Sequence, residues 1–100
     1  MRRRETIMKE IELFYLTRCP YCNNARKAIE ALTEENPAYN DIRIRWIEER
    51  EESELAAARD YFAVPTVFYR GEKLYEAKPT HGYDAIKENI KAAFDKVLQG

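Results

Sequence analysis

The feature that most constrains the fold is a mostly apolar run, residues 11–16, which is followed within four residues by the start of a helix. A run of this kind is typical of a strand that is covered on both faces of a sheet. Pro20 suits the first position of the helix, where its missing N–H costs nothing. The apolar positions that follow have helical spacing, at Ala25, Ile29 and Leu32. The sequence therefore predicts a central strand that leads directly into a helix.

Five further elements are predicted downstream. Residues 42–47 alternate apolar and basic side chains, which indicates an edge strand with one face in solvent. Ser53 is placed to cap a short alanine-rich helix that extends to Phe62. Residues 66–69 and 73–77 predict two strands joined by a turn, which form a β-hairpin. The last helix presents one apolar face, made of Tyr83, Ile86, Ile90, Phe94 and Val97.

The predicted order of elements is βαβαββα. A right-handed crossover makes the first two strands parallel, and the closing hairpin is antiparallel. We therefore expect a three-layer α/β domain in which helices flank a mixed four-stranded sheet. One hundred residues suit a single domain of this kind. We interpret residues 8–100 as that domain and residues 1–7 as a frayed extension.

Charge and composition argue against several classes of function. A net charge of -1, with charges spread along the chain, gives no electrostatic case for binding nucleic acid. No apolar h-region of a secretory signal follows the N-terminal arginines, and no apolar run is long enough to cross a bilayer. We expect a cytoplasmic monomer without a nucleic-acid or membrane partner.

The chain has only two cysteines, Cys19 and Cys22, and both lie at the predicted junction of the first strand and helix. A disulfide between them would close too short a loop to stabilise the fold much, but it could open and close as a redox couple. Cys19 falls at the helix N-terminus, where free N–H groups and the helix dipole favour a thiolate. Cys22 falls inside the helix, where we expect more burial. This pattern predicts thiol-disulfide exchange, in which Cys19 attacks and Cys22 resolves.

A zinc site is not expected. Zinc needs about four protein ligands, and His81 is the only histidine beside the two thiols.

The motif Cys19-Pro20-Tyr21-Cys22, together with Val64-Pro65-Thr66 just before the hairpin, resembles the glutaredoxins of the thioredoxin superfamily. The resemblance covers residues 9–98. It implies a thioredoxin-like fold and an oxidoreductase that reduces protein disulfides or glutathione mixed disulfides. It also implies glutathione as a co-substrate and no tightly bound cofactor. The resemblance further implies that the peptide bond before Pro65 is cis and that Pro65 faces Cys19. It implies that Val64 offers its backbone N–H and C=O to the substrate, and that Tyr21 forms a wall of the glutathione site.

Three further positions are candidates for substrate binding by the same resemblance. Glutaredoxins carry a Gly-Gly-x-Asp-like turn after the hairpin, and residues 80–84 match it with Gly82, Tyr83 and Asp84 but lack one of the two glycines. An N-terminal helical turn can bind a carboxylate, although Asp84 is equally well explained as a favourable charge at the helix dipole.

Charged residues near the motif leave alternatives open. Arg18, directly before Cys19, is placed to stabilise the thiolate or to meet an anionic substrate, and a surface arginine without a specific role is as good an interpretation. The acidic run at residues 48–52 is interpreted as a solvated loop on the same edge of the sheet. Because glutathione is itself anionic, this acidity makes glutathione dependence less secure than dithiol exchange.

Two other functions fit the same residues. One is a thioredoxin-like reductase that a flavoprotein, thioredoxin reductase, recharges. The other is an iron-sulfur cluster carrier, in which Cys19 from two subunits and two glutathiones hold the cluster. The best-known carriers replace the second cysteine of the motif, whereas this chain retains Cys22. The partners expected are disulfide-containing proteins and glutathione.

Overall fold

A computed structural model describes residues 9–100, so the extension expected at residues 1–7 lies outside the described residues. The elements follow the predicted order. The strands are β1 (Lys9–Tyr15), β2 (Ile42–Glu48), β3 (Thr66–Tyr69) and β4 (Glu72–Glu76). The helices are α1 (Pro20–Glu35), α2 (Ser53–Ala57) and α3 (Tyr83–Gln99), and a short 3-10 helix at Pro37–Asp41 was not predicted.

The four strands form one mixed sheet in the order β2-β1-β3-β4. β1 is parallel to β2 and antiparallel to β3, and β3 is antiparallel to β4, as expected from the crossover and the hairpin. Tyr15 is level with Glu48, while Thr66 is paired with both Phe14 and Glu76. The ends of all four strands therefore meet at one edge of the sheet. We call this the junction edge, because the strand-helix junction with the two cysteines lies there.

Helices cover both faces of the sheet and make three layers. Apolar residues of α1 and α3 pack with Ile11, Leu13 and Val67 in the larger core cluster. On the opposite face, α2 packs against a smaller cluster of Phe14, Ile47 and Phe68. β1 contributes to both clusters, which explains its mostly apolar sequence. The thioredoxin-like α/β fold is confirmed.

The helix α2 is shorter than the sequence predicted. It ends at Ala57 rather than near Phe62, and its N-cap is Glu52, without a side-chain hydrogen bond, rather than Ser53. Arg59 makes a two-pronged ion pair with Glu12 of β1, at 2.8 and 2.7 Å. This contact and others further along the chain draw residues 59–63 towards the sheet, and they outweigh the helix propensity of the alanines.

Candidate active site

The two cysteines occupy the start of α1, with Pro20 at its first position. Cys19 is the N-cap residue, and its sulfur accepts a hydrogen bond from the backbone N–H of Cys22 at 3.4 Å. The Cys19 carbonyl accepts the N–H of Asn23 at 2.9 Å. Cys19 is partly exposed, whereas only 4% of Cys22 is exposed. One thiol can therefore meet a substrate while the other is covered by the fold.

The environment of Cys22 keeps this thiol protonated. Burial raises the pKa of Cys22 to about 12, and the nearby Cys19 and Glu49 add to the effect. A hydrogen bond from the backbone of Leu16 opposes the increase but does not overcome it. The two thiols thus differ in exposure, and the buried one loses its proton with difficulty.

Glu48, at the end of β2, fixes the chain just before Cys19. Its carboxylate accepts the N–H and the hydroxyl of Thr17, both at 3.0 Å, and it also binds the N–H and the guanidinium of Arg50 at 2.7 and 3.2 Å. Only 4% of Glu48 is exposed. The interpretation of residues 48–52 as a solvated loop is therefore wrong for Glu48. The fold tolerates this buried charge because hydrogen-bond donors of Thr17 and Arg50 surround the carboxylate.

These donors also set the titration of Glu48. The Thr17 N–H makes the largest contribution, and together with Arg50 it lowers the pKa of Glu48 from 4.5 to about 2, against the effect of burial. The Glu48 carboxylate therefore stays ionised across the physiological range and ties the β1-α1 junction to the end of β2.

Arg18 lies between Thr17, whose backbone Glu48 binds, and Cys19. Its side chain is exposed, and its backbone has a positive φ of 68°.

Val64-Pro65 also lies at the junction edge. The peptide bond between them is cis, as the resemblance implied. Pro65 is buried and its carbonyl accepts the N–H of Ala77 at 3.0 Å, while Val64 is half-buried against the smaller core cluster. Because Thr66 pairs with Phe14, Pro65 lies level with the end of β1, where the chain turns towards Cys19.

Tyr21 connects the cysteine motif to the loop between β4 and α3. Its hydroxyl donates a hydrogen bond to the carbonyl of Pro79 at 3.1 Å, so it has a structural contact beyond that of an exposed ring. His81 in the same loop contacts Tyr75 of β4. The Nδ1 atom of His81 is 2.8 Å from the Tyr75 hydroxyl, and the two rings are stacked. The loop that leads into α3 is thereby held beside the start of α1.

Gly82, Tyr83 and Asp84 form the N-terminus of α3, the position that the resemblance assigned to glutathione. Gly82 is the N-cap with φ -90°, and a Cβ at this position would meet nothing within 4 Å. Neither backbone conformation nor packing therefore requires glycine here. Tyr83 is half-buried and Asp84 is exposed in the first helical turn. Their role in substrate binding stays a prediction.

A second carboxylate, Glu76, holds the segment that leads to Pro65, and the sequence did not reveal it. Its Oε2 accepts the backbone N–H groups of Phe62 and Ala63, both at 2.7 Å, and its Oε1 is paired with Lys73 at 2.6 Å. Burial alone would raise the pKa of Glu76, but the hydrogen bonds from these donors lower it. The one feature that could have indicated this role is the register of the hairpin, which places Glu76 opposite Thr66, next to Pro65.

Two general findings apply to residues 9–100. None of the helices there is both long and apolar enough to cross a membrane. The same residues contain no group of three or more His, Cys, Asp or Glu side chains arranged to hold a metal ion.

Comparison with known proteins agrees with this fold and site. The family model described as Glutaredoxin matches residues 11–74. A thioredoxin from Methanocaldococcus jannaschii is 30% identical over 82 residues, which cover 82% of this chain and 92% of that protein. Among solved structures, a single-site mutant of a thioredoxin from Halobacterium salinarum is 28% identical with a TM-score of 0.54, and the match covers 85% of this chain and 74% of that one.

A further structure shows the fold alone. Mitochondrial thioredoxin 3 from Saccharomyces cerevisiae is 23% identical with a TM-score of 0.57, over 85% of this chain and 78% of that one. Fold, paired thiols and relatives together define a thiol-disulfide oxidoreductase of the thioredoxin superfamily. Within that superfamily, the chain belongs to the glutaredoxin family.

Proposed function

We propose that this protein reduces protein disulfides and glutathione mixed disulfides by dithiol exchange, with Cys19 as the attacking thiol and Cys22 as the resolving thiol. The observation that carries the assignment is the asymmetry between the two sulfurs. Cys19 is partly exposed at the helix N-terminus, while Cys22 is 4% exposed and has a raised pKa. An accessible thiol is suited to meet the substrate first, and a covered one is suited to act within the protein.

The reaction is two successive exchanges. The Cys19 thiolate attacks one sulfur of the substrate disulfide, a Cys19-substrate disulfide forms, and the other substrate sulfur leaves as a thiolate that takes a proton from water. Cys22 then loses its proton to water and attacks the Cys19 sulfur, which breaks the bond between Cys19 and the substrate. The second substrate sulfur leaves as a thiolate that takes up a proton, and Cys19 and Cys22 are joined in a disulfide. The substrate has gained two electrons and the protein has lost two.

We propose glutathione as the electron donor. Two glutathione molecules would reduce the Cys19-Cys22 disulfide and become glutathione disulfide, so no tightly bound cofactor is needed. The family match and the position of Tyr21 beside the loop before Gly82 support this proposal. Arg18, Val64, Pro65, Tyr83 and Asp84 complete the proposed substrate-binding set. We further propose that the protein works in the cytoplasm as a monomer.

A thioredoxin-like cycle with thioredoxin reductase as the donor is the second candidate. The relative with 30% identity is a thioredoxin, and nothing in the packing around Gly82 requires the glycine of a glutathione turn. In this cycle the same two cysteines act on the same substrates, and only the recharging reaction differs.

A coupled assay distinguishes the donors. The protein is supplied with a small disulfide and either glutathione with glutathione reductase or thioredoxin reductase alone, and NADPH consumption is followed in both. We expect turnover with glutathione. Turnover only with thioredoxin reductase would transfer the assignment to the second candidate.

Two single-cysteine variants test the roles of the thiols. Cys19→Ser should abolish turnover of every substrate. Cys22→Ser should lose the reduction of protein disulfides and accumulate a mixed disulfide at Cys19, which intact-mass spectrometry detects. Activity retained by Cys19→Ser would contradict the assignment.

A further inference from the structure

Phe62 is an apolar side chain that the fold leaves in solvent. Among residues 9–100 it is the large apolar residue that remains exposed, with 95% of its surface accessible. A single exposed apolar residue is ordinary on a protein surface and by itself indicates nothing. Two further features distinguish Phe62 from an ordinary exposed residue: its backbone is anchored, and it lies close to Val64-Pro65 in the chain.

The backbone at Phe62 is fixed by three linked contacts. The carboxylate of Glu76 accepts the N–H groups of Phe62 and Ala63, both at 2.7 Å, and Lys73 pairs with the other carboxylate oxygen at 2.6 Å. Hydrogen bonds to a charged acceptor are stronger than neutral ones. The exposed ring therefore stands on an anchored segment rather than on a free loop tip. Ordering such a side chain on binding costs less entropy than ordering a mobile one.

Phe62 also lies close in the chain to the cis-proline segment at the junction edge. It precedes Val64 by two residues, so their Cα atoms are no more than about 7 Å apart. Val64-Pro65 is level with the end of β1 at the junction edge, where the chain turns into the cysteine motif. A polypeptide substrate that ran along this segment on its way to Cys19 would pass Phe62. A disulfide of only a few atoms can reach Cys19 without touching the ring.

We propose that Phe62 is a specificity-determining contact for polypeptide substrates, and that it packs against an apolar side chain close to the substrate's disulfide. This inference rests on the proposed function. Aromatic side chains are frequent anchors of protein interfaces, because one ring removes a large apolar area from water. The contact distinguishes a polypeptide disulfide with an apolar neighbour from one with only small or polar neighbours.

A double-mutant cycle tests the contact. The substrates are eight-residue peptides with one cysteine, activated as a mixed disulfide with 2-thiopyridine, whose release is followed by absorbance. One peptide carries alanine at every position around the cysteine, and the others carry a single leucine at positions from three before to three after it. The value of kcat/KM is obtained from single-turnover rates of the pre-reduced protein, whose two thiols supply the electrons, for the wild-type chain, Phe62→Ala and the conservative control Phe62→Leu.

At one or two leucine positions we expect wild-type kcat/KM to exceed that for the alanine peptide by about tenfold, the size of a partly buried apolar contact. Phe62→Ala should remove this preference, and Phe62→Leu should retain most of it. Turnover of the alanine peptide and of 2,2'-dithiodipyridine should stay within about twofold in all three proteins, since neither depends on the contact.

Several results would overturn the inference. It fails alone if the wild-type chain turns over the peptides but prefers no leucine position, or if Phe62→Ala slows the small disulfide as much as the leucine peptides. It also fails if sedimentation shows that Phe62 mediates self-association, with a wild-type dimer and a monomeric Phe62→Ala. A wild-type chain that reduces neither peptides nor the small disulfide removes the proposed function, and this inference with it. Because the Phe62 side chain is 95% exposed, its truncation should not impair folding, and a wild-type chain without a leucine preference refutes the inference independently of any variant.

Discussion

The reactivity of Cys22 is the sharpest consequence of the site geometry. This thiol is 4% exposed, and burial raises its pKa from 9.0 to about 12. The Cys19→Ser variant isolates it, because the chain then has no other cysteine. We expect Cys22 in the folded variant to react with a small neutral disulfide much more slowly than the same cysteine in the unfolded chain.

The size of the effect follows from the pKa. An increase from 9.0 to about 12 lowers the thiolate fraction near neutral pH about 1,000-fold. A more basic thiolate is also more nucleophilic. With a Brønsted coefficient of about 0.4 to 0.5, the rate constant of the thiolate increases by a factor of about 16 to 30, which offsets part of the loss. The net retardation is about 30- to 60-fold before steric protection by the fold is counted. Removing Cys19 deletes only secondary causes of the increase, since burial is the largest.

The assay follows 4,4'-dithiodipyridine by absorbance between pH 6 and pH 10, with the folded variant and the same variant in guanidinium. Cys22→Ser, which retains Cys19, is the matched folded control and should react rapidly. In folded Cys19→Ser the rate should increase with pH throughout this interval without a plateau. A plateau near pH 9, or rates near neutral pH that lie within about tenfold of the unfolded chain, would refute the reasoning from burial.

Three other perturbations are informative. Glu48→Gln should be less stable than the wild-type chain at pH 7, and its free energy of unfolding should fall less steeply at acid pH, as measured by urea unfolding at several pH values. The reason is that the pKa of Glu48 is about 2 in the folded chain and 4.5 without the fold. The stability that Glu48 contributes is therefore present above about pH 4.5 and is lost as pH falls towards 2. Tyr21→Phe removes the bond to Pro79 and should lower stability by no more than about 1 kcal/mol, while kinetics should show a higher KM for glutathione mixed disulfides. Phe94→Ala, at a fully buried position, should lower the free energy of unfolding by about 3 to 5 kcal/mol in the same urea titration, leaving the activity of the folded fraction unchanged.

The order of the elements was predictable because their periodicities are strong. The buried positions of α1 and α3 are those that recur at helical spacing, and β1 is apolar because it touches both core clusters. The end of α2 was not predictable from local propensity. Arg59 is drawn to Glu12, a partner 47 residues away, and such a contact has no local sequence signal.

The site was predictable in its thiols and less so in its surroundings. A Cys-x-x-Cys motif at a strand-helix junction has local meaning, because the helix N-terminus supplies the chemistry. Glu48 looked like one of several surface charges, and its burial depends on donors from Thr17 and Arg50 that only the folded chain brings together. The residues that hold the site are thus specified by tertiary contacts.

The acidity of the junction edge has a different physical meaning once its partners are known. Glu48 is paired with Arg50 at 3.2 Å and Glu76 with Lys73 at 2.6 Å, and both also accept backbone N–H groups. The charges of Glu48 and Glu76 are therefore largely balanced by their partners, and each carboxylate holds a segment at the junction edge. An anionic molecule that approached this edge would therefore meet a weaker negative field than unpaired carboxylates at Glu48 and Glu76 would produce. For these two residues, acidity is consequently a weaker argument against the proposed glutathione donor than the sequence alone indicated.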